Sequence, residues 1–284
     1  MRRFLAVLLV AALALSLAAC GEDDDGGSGD ASTPSTTQAA ADLGLKTPGV
    51  LTVASDVPYA PFELTDPGST EIKGFDVDLV KAIAATQGIT DVQFVDQSFD
   101  TIILSIRQGR FDMSASSWTI TPEREKEVDF GDPYFSANQA FLVQKDSTVT
   151  SMDDLAGKNV GGQRGTVGVD LAKTIPGAKV LTYDTTDDAF NALAQGRLDA
   201  AVTDFPVVAY AAAQKPSLKV AFEQPGNLAL GLMFPKDNPA LRDAFNDGLA
   251  QVQADGTYDA IYKQWFGDAP VSSLPSGTGT TTTQ

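Results

Sequence analysis

The pattern Gln-Gly-Arg-x-Asp occurs twice, as Gln108-Gly109-Arg110-Phe111-Asp112 and as Gln195-Gly196-Arg197-Leu198-Asp199. Each copy follows a segment with helical apolar spacing: Phe99, Ile102, Ile103 and Ile106 before the first, Ala189, Phe190, Leu193 and Ala194 before the second. Each leads into a short strand-like run, residues 113–116 and 200–203. The runs end on polar residues at matching offsets, Ser116-Ser117 and Thr203-Asp204. Glycine after a helix is common, so two unrelated helix C-caps are the alternative. The shared residues together with the matched polar endings favour a true repeat. Ligands of open α/β sheets bind beyond the carboxyl ends of strands. Two helix–turn–strand units therefore imply two lobes, each lending one wall to a site.

The ends of the chain do not read as fold. Met1-Arg2-Arg3 is a short basic start, residues 4–19 are apolar, and small residues lead to Cys20. This is the layout of a secretory signal, and the run is short for a membrane span. Leu17-Ala18-Ala19-Cys20 resembles a bacterial lipobox, which implies signal removal over 1–20 and acyl chains on Cys20. Cys20 is the single cysteine of the chain, which fits a modified residue and excludes an intramolecular disulfide. A plain signal peptide is the alternative. Acylation would hold the protein on the outer face of the cell membrane, or in a periplasm. Residues 21–45 are acidic and then small and polar, a flexible tether. The Ser-, Gly- and Thr-rich end, 268–284, reads as a disordered tail.

The formal net charge is -17 and there is no histidine. Such an acidic surface is a poor partner for nucleic acid. Lack of histidine removes the commonest general base and rules out a Ser-His-Asp arrangement. No catalytic, metal or cofactor site is expected from the residues. Any acid–base chemistry would fall to Asp, Glu, Lys or Tyr.

Between the ends, strands alternate with helices, which favours α/β lobes with largely parallel sheets. Strands are expected at 50–54, 92–95 and 228–234, and helices at about 77–87, 167–173, 205–213, 239–254 and 258–265. Residues 118–123 read as a loop. So do 161–166, a glycine-rich strand-to-helix turn whose N–H groups suit an anion; an ordinary turn is the alternative. It lacks the spacing of a P-loop or a dinucleotide fingerprint. Leu249, Trp265 and Phe266 read as core, and Trp118 as either core or a wall of the site.

Three stretches carry a family resemblance. They are Ala60-Pro61-Phe62-Glu63 with Gly74-Phe75-Asp76-Val77-Asp78-Leu79, then Thr119-Ile120-Thr121-Pro122-Glu123-Arg124 leading to Val128-Asp129-Phe130, and Gly256-Thr257-Tyr258-Asp259-Ala260-Ile261-Tyr262-Lys263-Gln264-Trp265-Phe266. Together they resemble extracellular solute-binding protein family 3, the polar amino acid receptors of ABC importers. The resemblance implies a two-lobed periplasmic-binding-protein-like (type II) α/β fold with two hinge crossings, near 139–143 and 228–232. Lobe 1 would comprise 46–138 plus 231–267, and lobe 2 would comprise 139–230. The glycine in the returning strand suits a hinge.

The same resemblance implies the site. A zwitterion needs a cation for its carboxylate and an anion for its ammonium. Arg124 occupies the carboxylate position and Asp204 the ammonium position. Ser117, Thr119 and Thr166 match positions that bond the ligand backbone. Asp56, Tyr59, Phe99, Ser116 and Gln163 match positions around the ligand side chain, with Tyr59 and Phe99 as apolar walls. Asp56, Tyr59 and Ser116-Ser117 look like lysine/arginine/ornithine receptors. Asp56 also occurs in glutamine receptors, and Gln163 departs from both patterns. The expectation is a monomeric, lipid-anchored receptor that delivers a polar L-amino acid, cationic or glutamine-like, to an ABC permease. A dehydratase acting on cyclohexadienyl acids and a sensory module are the rival readings.

Overall fold

The computed structural model describes residues 43–268. The signal segment, Cys20, most of the tether and nearly all of the tail lie outside the described residues. The described chain starts at Leu43, which packs with Leu45 against the core and whose carbonyl accepts from Asn238 Nδ2 at 2.9 Å.

The first helix–strand unit builds from β1 (Val50–Ser55), a small hairpin of β2 (Leu64–Thr65) and β3 (Ile72–Lys73), and α1 (Phe75–Thr86). It continues with β4 (Asp91–Asp96), α2 (Phe99–Arg107) and β5 (Met113–Thr119). β1 lies between β4 and β5, parallel to both. Every residue of β5 is buried, as an apolar and small-residue run at the middle of a sheet requires. After α3 (Pro122–Glu125) and β6 (Asp129–Phe130), β7 (Phe135–Gln144) leaves for the second unit.

The second unit is β8 (Asn159–Gln163), α4 (Val167–Lys173), β9 (Lys179–Tyr183), α5 (Thr186–Ala194), β10 (Ala200–Asp204) and α6 (Phe205–Gln214). Here β8 lies between β9 and β10, again parallel to both. β11 (Leu218–Phe234) returns, and α7 (Pro239–Ala254) and α8 (Thr257–Phe266) close on the first unit. The full sheet order is β4-β1-β5-β11-β7-β10-β8-β9. The outer pairs are parallel, whereas the three central pairs, β5–β11, β11–β7 and β7–β10, are antiparallel. The sheets are thus parallel only toward their edges.

β7 and β11 are the two crossings, paired with each other from Leu218↔Gln144 to Leu230↔Phe135. Their register slips between Gln224 and Leu228. Leu230 and Gly231 already pair with β5, and Gln139 already pairs with β10. A Cβ at Gly231 would sit 2.9 Å from Ile120 Cδ1.

The doubled pentapeptide performs the same job twice. Gly109 (φ +66°) and Gly196 (φ +73°) take the left-handed conformation after α2 and α5. Gly109 N donates to Ile106 O and Arg110 N to Ser105 O; Gly196 N and Arg197 N do the same to Leu193 O and Ala192 O. This is the Schellman closure, in which glycine avoids the Cβ penalty. The aspartates then tie each turn to the neighbouring parallel strand. Asp112 accepts from Lys46 N and Thr52 N, each at 2.8 Å, and from Thr52 Oγ1 at 2.5 Å. Asp199 accepts from Asn159 N at 2.8 Å.

Two expected loops are not loops. Trp118 and Thr119 complete β5, and α3 follows with Pro122 in its first turn and Thr121 as N-cap. Pairing of Trp118 and Thr119 with β11 extends the strand beyond what its own residues suggest. Gly161 and Gly162 lie inside β8, buried, where a Cβ would meet Leu198 Cδ1 at 2.3 Å and Val169 Cγ2 at 2.9 Å. They serve close packing, and the anion-binding turn expected at 161–166 shrinks to Arg164-Gly165. Among the described residues, no helix is long and apolar enough to cross a membrane.

Candidate functional site

One cleft lies where the two units meet at the carboxyl ends of β1, β5, β8 and β10. It is lined by Asp56, Tyr59, Phe99, Ser116, Ser117, Thr119, Arg124, Gln163, Thr166 and Asp204. All ten residues expected from the sequence are brought together. Gln139, Val167 and Thr203 also line it. Gln139 and Thr203 were missed because nothing local marks a glutamine on a crossing strand. The matched ending of the repeat did point at Thr203, one residue before Asp204.

Arg124 is held by α3, whose N-cap Thr121 accepts from the Arg124 N–H. The guanidinium stacks over Trp118, with its carbon 4.8 Å from the ring centroid, and over Phe99 at 5.5 Å. Phe99 and Trp118 are themselves stacked at 4.1 Å. Trp118 does not line the cleft; it is the buried floor under the arginine. Nη1 donates to Thr119 O at 2.7 Å and Nη2 to Gly165 O at 3.1 Å. A guanidinium has five donors, so three remain for another partner. Burial pushes the Arg124 pKa down to about 10, opposed by the charge of Asp204.

Asp204 ends β10 on the facing unit. Its carboxylate accepts from Tyr59 OH and from Gln139 Nε2, both at 2.6 Å, and burial raises its pKa to about 6. Tyr59 OH also meets Thr203 Oγ1 at 2.7 Å. Burial, then the charge of Asp204, holds the Tyr59 phenol well above its usual range, so it is a donor here.

At the other end, Asp56 follows β1 and accepts from Phe99 N at 3.1 Å and from Gln163 Nε2 at 2.6 Å. Gln163 also donates to Asp184 O and accepts from Thr186 Oγ1, so its amide is fully engaged. Burial lifts the Asp56 pKa to about 6, and the two hydrogen bonds limit the rise. Ser116 Oγ accepts from Asp56 N at 3.0 Å and donates to Glu63 Oε1 at 2.9 Å. Ser117, at φ 48°, gives its N–H to Asp76 Oδ2 at 2.9 Å. That buried bond holds a backbone conformation that a non-glycine residue seldom takes. Thr166 caps α4 and donates to Gln163 O at 2.8 Å.

Bonds across the cleft include Gln163 to Asp56, Tyr59 to Asp204 and to Thr203, and Arg124 to Gly165 O. One buried cation thus faces carboxylates at both ends of the cavity. That arrangement can hold a small molecule with an anionic group, an ammonium and a polar or cationic far end.

Known proteins resemble the chain along nearly its whole folded length. An "ABC transporter arginine-binding protein 1" from Escherichia coli (strain K12) is 37% identical over 214 residues, 73% of this chain and 87% of the relative. An ABC transporter glutamine-binding protein from Bacillus subtilis (strain 168) is 33% identical over 275 residues, 95% of this chain and 99% of the relative. The solved structure of an ancestral arginine-binding protein bound to glutamine superposes with a TM-score of 0.75 at 38% identity. It covers 78% of this chain and 100% of that one. The fold is the two-lobed periplasmic-binding-protein one, and with residues 51–268 matching the family's profile, the chain belongs to the bacterial extracellular solute-binding proteins, family 3.

Proposed function

We propose that this protein is an extracytoplasmic receptor that captures a polar L-amino acid between its lobes and passes it to the permease of an ABC importer. The observation that carries the reading is the opposition of Arg124 and Asp204 across one buried cleft. Arg124 takes the ligand carboxylate through its remaining donors, and Asp204 takes the ammonium. Ser117, Thr119 and Thr166 bond the rest of the ligand backbone. Asp56, Tyr59, Phe99, Ser116 and Gln163 surround its side chain. The lobes are 46–138 plus 231–267 and 139–230. Ligand contacts to both favour the closed arrangement. The relatives named for arginine and glutamine support a side chain ending in a guanidinium or an amide, which Asp56 can accept from. The protein acts as a monomer without catalysis, held to the membrane through acylated Cys20.

A thermal-shift screen with the common L-amino acids tests this reading, because a ligand that binds only the folded state raises its melting temperature by mass action. Arginine, lysine or glutamine is expected to give the largest rise. A flat response to every amino acid would sink the receptor reading. Metabolic labelling with a fatty acid, compared with Cys20→Ser, tests the anchor.

A further inference from the structure

Behind the cleft lies a carboxyl group that the ligand contacts do not use. Glu63 is fully buried, with 0% of its surface exposed. Its Oε1 accepts from Ser116 Oγ, and Oε2 has no hydrogen-bond partner among the described residues. The groups facing it are nearly all acidic. They are Asp76 from α1, Asp56 after β1 and Asp204 from the opposite lobe, with the Tyr134 phenol beyond Asp76. Among the described residues, Arg124 is the one cation that lines the cavity. Four buried carboxyl groups thus surround a site with one positive charge. An isolated buried carboxylate is costly, and the usual remedy is to keep the proton.

The link from Glu63 to the ligand is short. Ser116 lines the cavity and is bonded on one side to Asp56 N and on the other to Glu63. We propose that Glu63 is a positioning residue that tunes the site to the charge of the ligand side chain: it keeps a proton while no cation occupies the far end of the cavity, and gives it up when a guanidinium or ammonium enters. The Glu63 O–H bond breaks, the proton passes to solvent, and the carboxylate keeps the hydrogen bond from Ser116. The total charge of the filled site is then the same for a cationic ligand as for a neutral one. Burial, then the nearby charge of Asp76, holds the Glu63 carboxyl well above its usual range, as this requires. This inference rests on the amino acid-receptor reading.

Titration calorimetry on the whole protein tests it, with L-arginine and L-glutamine at about pH 8, where Asp56 and Asp204, which titrate near 6, are already ionised. Each titration is run in phosphate and in Tris, whose heats of ionisation differ. Arginine is expected to release a fraction of a proton up to about one, seen as a buffer-dependent heat. Its affinity should rise with pH by up to about tenfold per unit. Glutamine should show neither effect. Glu63→Gln should bind glutamine normally and lose the buffer dependence for arginine. Equal arginine heats in both buffers overturn the proposal alone, as does an undiminished release in Glu63→Gln. Glutamine binding without arginine binding also overturns it. If neither amino acid binds, this inference is overturned, and the receptor reading fails with it only where the thermal-shift screen is flat for every amino acid. Should Glu63→Gln not fold, the wild-type buffer comparison decides by itself.

Discussion

The proposed roles of Arg124 and Asp56 differ, and their substitutions should separate them. On its own side of the cleft Arg124 is held by Thr119 O and an aromatic floor, so little side-chain entropy is lost on binding. Truncating one partner of a buried charge pair costs about 2–5 kcal/mol. Arg124→Ala is therefore expected to weaken every amino acid ligand by at least about thirtyfold, while far-UV circular dichroism stays native. Calorimetry that finds wild-type affinity would remove Arg124 from the site. Asp56 sits at the other end of the cleft, and in the proposed receptor its part is to read charge. Asp56→Asn keeps an acceptor for Phe99 N but loses the carboxylate. It should weaken arginine about tenfold or more, on the scale of a charge-assisted hydrogen bond, and glutamine far less. Equal losses would mean that Asp56 shapes the pocket without sensing charge. Both positions came from the family resemblance, Arg124 from one of its three stretches, and the structure places both on the cleft. Glu63 and Asp76 were quoted in the same motifs, yet nothing in sequence shows that Ser116 and Ser117 would come to rest on them. Their role exists only once β5 and α1 pack.

Among the elements, the two copies of the repeat offer an internal comparison. The same Schellman turn and the same aspartate are used in both, but Asp112 accepts three hydrogen bonds and is buried, whereas Asp199 accepts one and is half-buried. Hydrogen bonds to charged groups contribute about 1.5–3 kcal/mol each and are not additive. Asp112→Ala should therefore cost about 3 kcal/mol in denaturant unfolding and Asp199→Ala about 1.5 kcal/mol, with ligand affinity unchanged in both. A larger loss for Asp199 would break the equivalence of scaffold and hydrogen-bond count. Elements with strong local signals were readable. α7 was expected at 239–254 and occupies Pro239–Ala254 because Asn238 caps it, Pro239 opens it and Leu241, Phe245, Leu249 and Val252 form one buried stripe. β11 was half missed: only 228–234 was expected, and the strand begins at Leu218. Its first part, Leu218-Lys219-Val220-Ala221-Phe222-Glu223-Gln224, has no period-two alternation, and its extended form comes from pairing with β7. β9, paired on one side only to β8, was missed for the same reason. Propensity yields where a distant partner supplies the hydrogen bonds.

For the whole molecule, the consequence of concentrating carboxyl groups around one cleft is a stability that falls with rising pH. Burial raises Asp56 and Asp204 to about 6 and Asp76 to about 7, and lifts Glu63 as well. In the unfolded chain each would titrate near 4. Between roughly pH 4 and pH 7 the folded protein therefore holds more protons than the unfolded one, so unfolding releases them and stability drops as pH increases. The stabilisation is complete below the unfolded values and is lost as pH passes the folded ones. The net charge of -17 acts in the same direction, since protonation relieves self-repulsion. The carboxylates whose pKa values are lowered, Asp154 and Asp255, are exposed and would oppose this only at lower pH. The melting temperature is thus expected to be higher at about pH 5 than at about pH 8, measured by calorimetry at fixed ionic strength. Salt should reduce the part due to net charge but not the part due to the buried groups. Saturating arginine should flatten the profile, because a cation beside the same carboxylates favours their ionised forms in the folded state. A melting temperature that rises from pH 5 to pH 8 would mean that the cleft carboxylates are already ionised and solvated, with the two lobes apart for most of the time.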